Sequence, residues 1–203
     1  MRFSLTVKDR DTYQQQGYVE FTDILPQEEV ETTREAIEAV LDERGAPLDE
    51  SDLDSLYRAG RDLWRTSSPI AALVLRKRQA EIASELTDGN KLRLGYDQLI
   101  VDGERGGEET LDGMSPFQST LCGLFLLLSG DSAGNGLFVN PTLPLEQLPH
   151  IHEPESLFLL IAYCNERAIY TGHSSDIHSK GLKRAGYVAG DRLSHDRHPL
   201  FRI

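Results

Sequence analysis

The feature that most constrains the fold is a change of pattern near residue 90. Before it, apolar residues recur at helical spacing, whereas after it short apolar runs alternate with glycine, proline, asparagine and aspartate. The later runs are Cys122–Leu128, Gly136–Asn140, Leu157–Tyr163 and Ala168–Tyr170. Because helices come early and strands come late, the sequence predicts the α+β class rather than alternating β–α units.

The first ninety residues carry the start and stop signals of helices. Pro26 stands in a first helical turn and Gly45 at a helical end. The dipeptide Ser68-Pro69 opens a second strong helix, whose apolar face continues to Leu86 and which Gly89 ends. The segment Leu92–Val101 then reads as a long strand. We expect a single domain over residues 1–203, in which 1–90 form mainly a helical buttress and 91–203 mainly a β core.

Composition restricts the partners. The chain has 21 Lys and Arg against 33 Asp and Glu, a net charge of −12. An acidic protein is repelled by nucleic acid and by anionic membranes, so we expect neither as a partner and expect an unknown small molecule or protein instead.

Cys122 and Cys164 lie inside apolar runs, which predicts small buried side chains. The apolar run Leu121–Leu128 is too short to span a bilayer and residues 1–8 are too polar for a signal peptide, so a cytoplasmic location is expected.

The histidines are the candidate metal ligands, and all six follow Pro149. His150 and His152 are two residues apart, so on a strand both imidazoles would point to one side, with Glu153 or Glu155 to add a carboxylate. The flanking prolines favour the opposite interpretation, an exposed loop.

One acidic residue interrupts an apolar strand. Asp97 has three interpretations: it pairs with a buried arginine, it points into a pocket, or it occupies a satisfied position at a sheet edge.

A family resemblance rests mainly on the N-terminal region. The segment 13–21, which contains Gly-Tyr-Val, and the segment 24–30, Ile-Leu-Pro-Gln-Glu-Glu-Val, resemble the opening of phytanoyl-CoA dioxygenase-like proteins of the Fe(II)/2-oxoglutarate-dependent oxygenase superfamily. Asn135-Gly136 before an apolar strand is similar as well, and the detailed form is closest to a poorly characterised chlamydial group. The resemblance implies a double-stranded β-helix, a cupin-like jelly roll, with flanking N-terminal helices.

The resemblance also implies a chemistry. In the family, Fe(II) is bound by a His-x-Asp/Glu pair and a distal His, and an arginine grips 2-oxoglutarate. No His of this chain is followed two residues later by Asp or Glu, and the alignment puts Phe117 and Ser119 at that pair. His150 or His152 corresponds to the distal His unless Leu145 has replaced it, and Arg167 is the candidate for the arginine.

A single histidine does not hold Fe(II), because the site needs three protein ligands. We therefore expect a diverged relative without the iron triad or a cofactor, a non-catalytic protein that binds a small molecule or a protein. The alternative is a metal-dependent oxygenase or hydroxylase that uses Fe(II) and 2-oxoglutarate with rearranged ligands. Those ligands are His150 and His152 with Glu155, or the later histidines with Asp176 or Asp191.

Overall fold

The computed structural model describes residues 5–88, 91–101, 110–172 and 179–203. Helices dominate the part before residue 90 and strands the part after it, as the sequence predicts. The helices are α1 (Val7–Gln16), α2 (Gln27–Glu43), α3 (Leu53–Ala59), α4 (Ser68–Val74), α5 (Lys77–Leu86), α6 (Leu111–Met114) and α7 (Ser179–Arg184), with 3₁₀ turns at Leu63–Arg65 and Leu145–Gln147. The strands are β1 (Tyr18–Phe21), β2 (Leu92–Val101), β3 (Phe117–Leu127), β4 (Gly136–Val139) and β5 (Leu157–Tyr170).

The helical signals act largely as predicted, with one difference. The helix that begins at Ser68 ends at Val74, and a new helix begins at Lys77. At the break, Arg76 has an extended backbone, and its side chain pairs with Glu29 of α2 at 2.6 Å. This contact between helices lies at the break, while the apolar periodicity runs on through it.

The strands form one antiparallel sheet in the order β1-β4-β3-β5-β2. The predicted strand Leu92–Val101 is confirmed with its bounds. The two runs Leu157–Tyr163 and Ala168–Tyr170 prove to be parts of one long strand, β5. Residues 186–193, whose apolar pattern continues the strand series, contribute one isolated bridge, from Arg192 to Ile169.

Alternate side chains of the sheet pack into two separate cores. On the helix face, Leu124, Leu159 and Ile161 pack with buried residues of α2, α4 and α5. On the loop face, Phe125 and Leu160 pack with buried side chains from α6, the 145–151 segment and the C-terminal segment. Cys122 and Cys164 are buried and free, as the sequence predicts.

The described strands give one sheet, so the structure does not directly show the two-sheet jelly roll that the resemblance implies. What it shows is the coarser architecture, a mixed helical and antiparallel fold. Within the described residues, no helix combines the length and apolar character needed to cross a bilayer.

Candidate functional site

A bulge in β2 sets the position of the site. Leu94 pairs with Tyr163 of β5 and Tyr96 with Ala162, so Gly95 is an extra residue. The insertion turns Tyr96 onto the loop face, whereas Leu94 lies on the helix face. Only glycine fits there, because a Cβ would lie 2.8 Å from Cys164 Sγ.

Two short segments, residues 60–62 and residues 199–201, cover the free edge of β2. The first follows α3 and bonds to the second half of the strand, and the second lies near the C-terminus and bonds to the first half. The bonds, with the donor first, are Asp62 N to Asp97 O (3.0 Å), Leu99 N to Gly60 O (2.8 Å), Leu94 N to Pro199 O (2.9 Å) and Phe201 N to Leu92 O (2.9 Å). The bulge lies where the two segments meet.

His198 fills the junction between them. Its Nδ1–H donates to the carbonyl of Gly95 at 2.8 Å, and its side chain is 1% exposed. Burial lowers the pKa of His198 to about 4, so the ring is neutral at pH 7. Because Nδ1 carries the proton, Nε2 is an acceptor, and it has no hydrogen-bond partner among the residues that the structure describes.

A cavity of about 280 Å³ opens beside His198, and we call it the arginine cavity. Its polar lining carries four arginines, one carboxylate and the imidazole, and the apolar lining comes from the loop face and α7. The lining residues are Arg58, Arg61, Asp62, Arg65, Gly95, Tyr96, Pro116, Phe117, Gly181, Leu182, Ala185, Arg197 and His198.

The arginines have different environments. The guanidinium of Arg61 lies 3.6 Å from the ring centroid of Tyr96, and the residue is 7% exposed. Arg65 pairs with Asp62 at 3.2 Å and also donates to the carbonyl of Arg197. Arg58 and Arg197 make no ion pair with any residue that the structure describes.

Arg44, at the end of α2, holds the segment that carries Arg61 and Asp62. Its guanidinium donates to the carbonyls of Ala59 (2.5 Å), Arg61 (2.7 Å) and Asp62 (3.3 Å), and to Thr66 Oγ1 (2.8 Å). These bonds accompany a left-handed backbone at Asp62, with φ of 53°. The cavity wall is therefore tied to the helical layer.

Asp97 occupies the satisfied edge position, one of its three predicted interpretations. The carboxylate is fully buried and accepts from the backbone N–H groups of Leu63 (2.8 Å) and Trp64 (3.3 Å). Burial, and then the charge of Asp62, raise the pKa of Asp97 to about 7.

Of the predicted metal ligands, His150, His152 and Glu155 lie outside the arginine cavity. His150 stands in a turn with φ of 64°, with Nδ1 2.7 Å from Glu153 and Nε2 3.4 Å from Glu20. His152 Nε2 is 3.1 Å from the carbonyl of Glu146. Glu155 is exposed and also has a left-handed backbone.

Of the later histidines and carboxylates that the structure describes, His198 lines the arginine cavity, whereas His195 and Asp191 do not. His195 Nδ1 accepts from the backbone of Leu200, and Asp191 accepts from the backbone of Val188. His173, Asp176 and His178 lie outside the described residues. Within the described ranges, no three His, Cys, Asp or Glu side chains are grouped so that they could hold a metal ion.

Of the residues aligned with the family's first ligand pair and its arginine, one lines the arginine cavity and two do not. Phe117 is buried in the cavity wall, edge-on to His198 with ring centroids 5.0 Å apart. Ser119 is exposed, with φ of 70°. The side chain of Arg167 is 79% exposed and is not part of the cavity lining.

Sequence reasoning missed the arginines of the cavity. Arg58, Arg61 and Arg65 are three and four residues apart, a spacing that would place the side chains near one another on a continuous helix, although α3 ends at Ala59 and Arg61 pairs with Gln98 of β2. That spacing was the available signal, although no local pattern connects these residues with Arg197 and His198.

Comparisons with known proteins give structural matches only. No protein-family model and no curated protein matches the chain. The α-ketoglutarate-dependent carbocyclase SnoK from nogalamycin biosynthesis superposes with a TM-score of 0.70 at 17% identity, over 97% of this chain and 96% of its own. CT296 from Chlamydia trachomatis gives a TM-score of 0.59 at 20% identity, over 81% of this chain and 99% of its own. HygX from Streptomyces hygroscopicus, with nickel and 2-oxoglutarate bound, gives a TM-score of 0.53 at 16% identity, over 80% of this chain and 88% of its own.

At these identities the likeness concerns the fold. The chain has the fold of 2-oxoglutarate-oxygenase-like proteins, and a chlamydial structure is among its structural neighbours. The resemblance predicted from the sequence is confirmed at this level.

Proposed function

We propose that this protein is a diverged relative of the 2-oxoglutarate oxygenases, built on a double-stranded β-helix, that has lost the iron centre and binds a small molecule in the arginine cavity. The observation that carries the proposal is the position of Phe117. The sequence alignment puts Phe117 at the family's first histidine, its apolar ring offers no metal ligand, and in the structure it is buried and lines the cavity.

The described residues do not fit an iron ion. A 2-oxoglutarate oxygenase needs three protein ligands that converge on one point. The ring nitrogens of His150 face two different carboxylates, and His152 faces a backbone carbonyl. The proposed function therefore involves no iron, although SnoN, another structural neighbour, is known in complex with Fe³⁺ and α-ketoglutarate.

The surface favours a small molecule over a protein partner. The large apolar side chains exposed among the described residues are Val7, Val188 and Ile203, which come from three separate segments. Interaction patches on protein surfaces generally present several hundred Å² of contiguous apolar area. The arginine cavity, in contrast, combines charged and apolar walls in the way that ligand pockets do.

Anaerobic titration with Fe(II), with and without 2-oxoglutarate, tests the proposal. A catalytically competent 2-oxoglutarate oxygenase at the same concentration serves as the positive control for the visible charge-transfer band. We expect no band from this protein while circular dichroism shows it folded. A band with one-to-one stoichiometry would contradict the proposal and support the alternative enzyme.

In that event, single variants identify the ligands. If His150, His152 and Glu155 held the metal, His150→Ala and His152→Ala would each abolish the band. If both variants kept the band, the ligands would have to be sought among the later histidines.

A further inference from the structure

We propose that the arginine cavity binds a small carboxylate that also carries a hydroxyl group, with the carboxylate on the arginines and the hydroxyl donating to His198. This inference rests on the proposed function, because it names the class of ligand that the cavity takes. Three features support it: the charge of the cavity, its unsatisfied acceptors and its size.

The positive charge of the cavity lining favours an anionic ligand. Four arginines and one aspartate line the cavity, and the imidazole is neutral, which leaves a local excess of three positive charges in a chain of net charge −12. Arg58 and Arg197 have no carboxylate within ion-pair distance among the described residues. The planar fork of arginine matches a carboxylate with two parallel hydrogen bonds.

The unsatisfied hydrogen-bond acceptors of the cavity lining favour a ligand that also carries a hydrogen-bond donor. Nε2 of His198 and Oδ1 of Asp62 belong to cavity-lining residues, and both are buried without a hydrogen-bond partner among the described residues. A bare carboxylate offers only acceptors and would leave both unsatisfied. A hydroxyl group can donate to either one.

The charge also decides between the two common donors. An ammonium group, as in an amino acid, would enter a cavity that already holds excess positive charge and would be repelled. A neutral hydroxyl avoids this repulsion. The ligand class is therefore a hydroxy acid rather than an amino acid.

The cavity volume of about 280 Å³ is at the lower end for ligand sites, which suits a molecule of a few carbon atoms. The apolar wall, formed by Tyr96, Phe117 and Leu182, offers contact to a short carbon chain.

Matched acids test the inference by isothermal titration calorimetry on the full chain without added metal. The pairs are malate against succinate and 2-hydroxyglutarate against glutarate, with 2-oxoglutarate and aspartate as further probes. We expect at least one hydroxy acid to bind at least tenfold more tightly than its deoxy partner, and the oxo and amino acids to bind more weakly than the hydroxy acids.

Variants separate the two contacts. Arg197→Met should weaken every acid by a similar factor of about ten, whereas the exposed Arg202→Met, near the same terminus, should change none. His198→Phe should remove the preference for the hydroxy acids and keep some affinity for both members of a pair. If His198→Phe does not fold, the selectivity of the parent protein and the effect of Arg197→Met still decide the question.

The outcomes distinguish this inference from the proposed function. Equal binding within both pairs, or no binding of any probe acid, would overturn the hydroxy-acid inference and would leave the iron titration unaffected. Binding that needs Fe(II) would instead contradict the proposed function itself.

Discussion

The two faces of the sheet are covered in different ways. On the helix face, α2, α4 and α5 close over an apolar core, and the buried carboxylate of Asp97 accepts from backbone N–H groups. On the loop face, short segments and turns cover the sheet, and where they meet at the bulge of β2 they leave the arginine cavity. The helix face therefore carries the apolar core that stabilises the sheet, whereas the proposed binding site lies on the loop face of the same strands.

The largest effect on the free energy of unfolding is expected from a substitution on the helix face. Ile161→Ala removes a fully buried side chain and should lower the free energy of unfolding by about 2–5 kcal/mol. Denaturant unfolding measures this loss, and Val7→Ala, at a site that is 76% exposed, is the control with a change below about 0.5 kcal/mol. If Ile161→Ala altered acid binding as strongly as it altered stability, the division between the faces would fail.

The next largest effect on stability is expected from a substitution of Asp97, and it depends on pH. Its folded pKa of about 7 lies above the usual value of 3.8, so its contribution to stability is present at low pH and is lost as the pH rises through 7. The stability of Asp97→Asn relative to the parent should therefore increase from pH 4 to pH 7 by about 2–4 kcal/mol and level off above it. The opposite titration of His198 is present in both proteins and cancels in the difference, so a flat or falling difference would refute the assignment.

Arg44 tests whether the helical layer positions the cavity wall. Arg44→Met removes four hydrogen bonds to the segment 59–66 and should cost about 1–3 kcal/mol in unfolding free energy, because bonds from a charged donor are stronger than neutral ones. The affinity for acids should fall as well, since Arg61 loses its support. Arg34→Met, on the exposed side of α2, is the matched control. Unchanged acid affinity in Arg44→Met would show that the wall keeps its shape without this residue.

The smallest effect concerns His150, which lies away from the cavity. Burial alone would lower the pKa of His150, but the hydrogen bond to Glu153 and the charge of Glu20 raise it overall. A raised pKa adds stability below pH 6.5 that is lost as the pH rises through the folded value. His150→Gln should therefore cost more at pH 6 than at pH 8, by less than about 1 kcal/mol because the pair is near the surface. Unfolding curves at the two pH values, with and without 1 M salt, measure this, and the reverse order would disprove it.

Much of the fold could be predicted from local signals, and the exceptions have physical causes. The bounds of β2 and the course of α2 follow from periodicity and from proline and glycine positions. The break at Arg76 does not follow from local signals, because the apolar periodicity continues through it; the contact of Arg76 with Glu29, distant in sequence, lies at this point.

The site was harder to predict. The pairing of His150 and His152 assumed a strand, but a left-handed residue in a turn between two prolines sends the two rings to different partners. The cavity combines side chains from near residue 60 and from near residue 198, and the sequence contains no periodicity that connects them.

The covered edge of β2 has a consequence for self-association. An open edge strand offers its peptide groups to another copy of the chain, which is a common route to aggregation. Here residues 60–62 and 199–201 occupy those groups, and the cavity is lined by Arg61 and Asp62 of the first segment and by Arg197 and His198, which precede the second. A ligand that contacts both Arg61 and Arg197 would keep the two segments on the edge of β2. The concentration of the ligand would therefore govern the solubility of the protein as well as the occupancy of the cavity. Loss of residues 199–203 would have the opposite effect, because the peptide groups of Leu92 and Leu94 would become available for pairing with a second molecule.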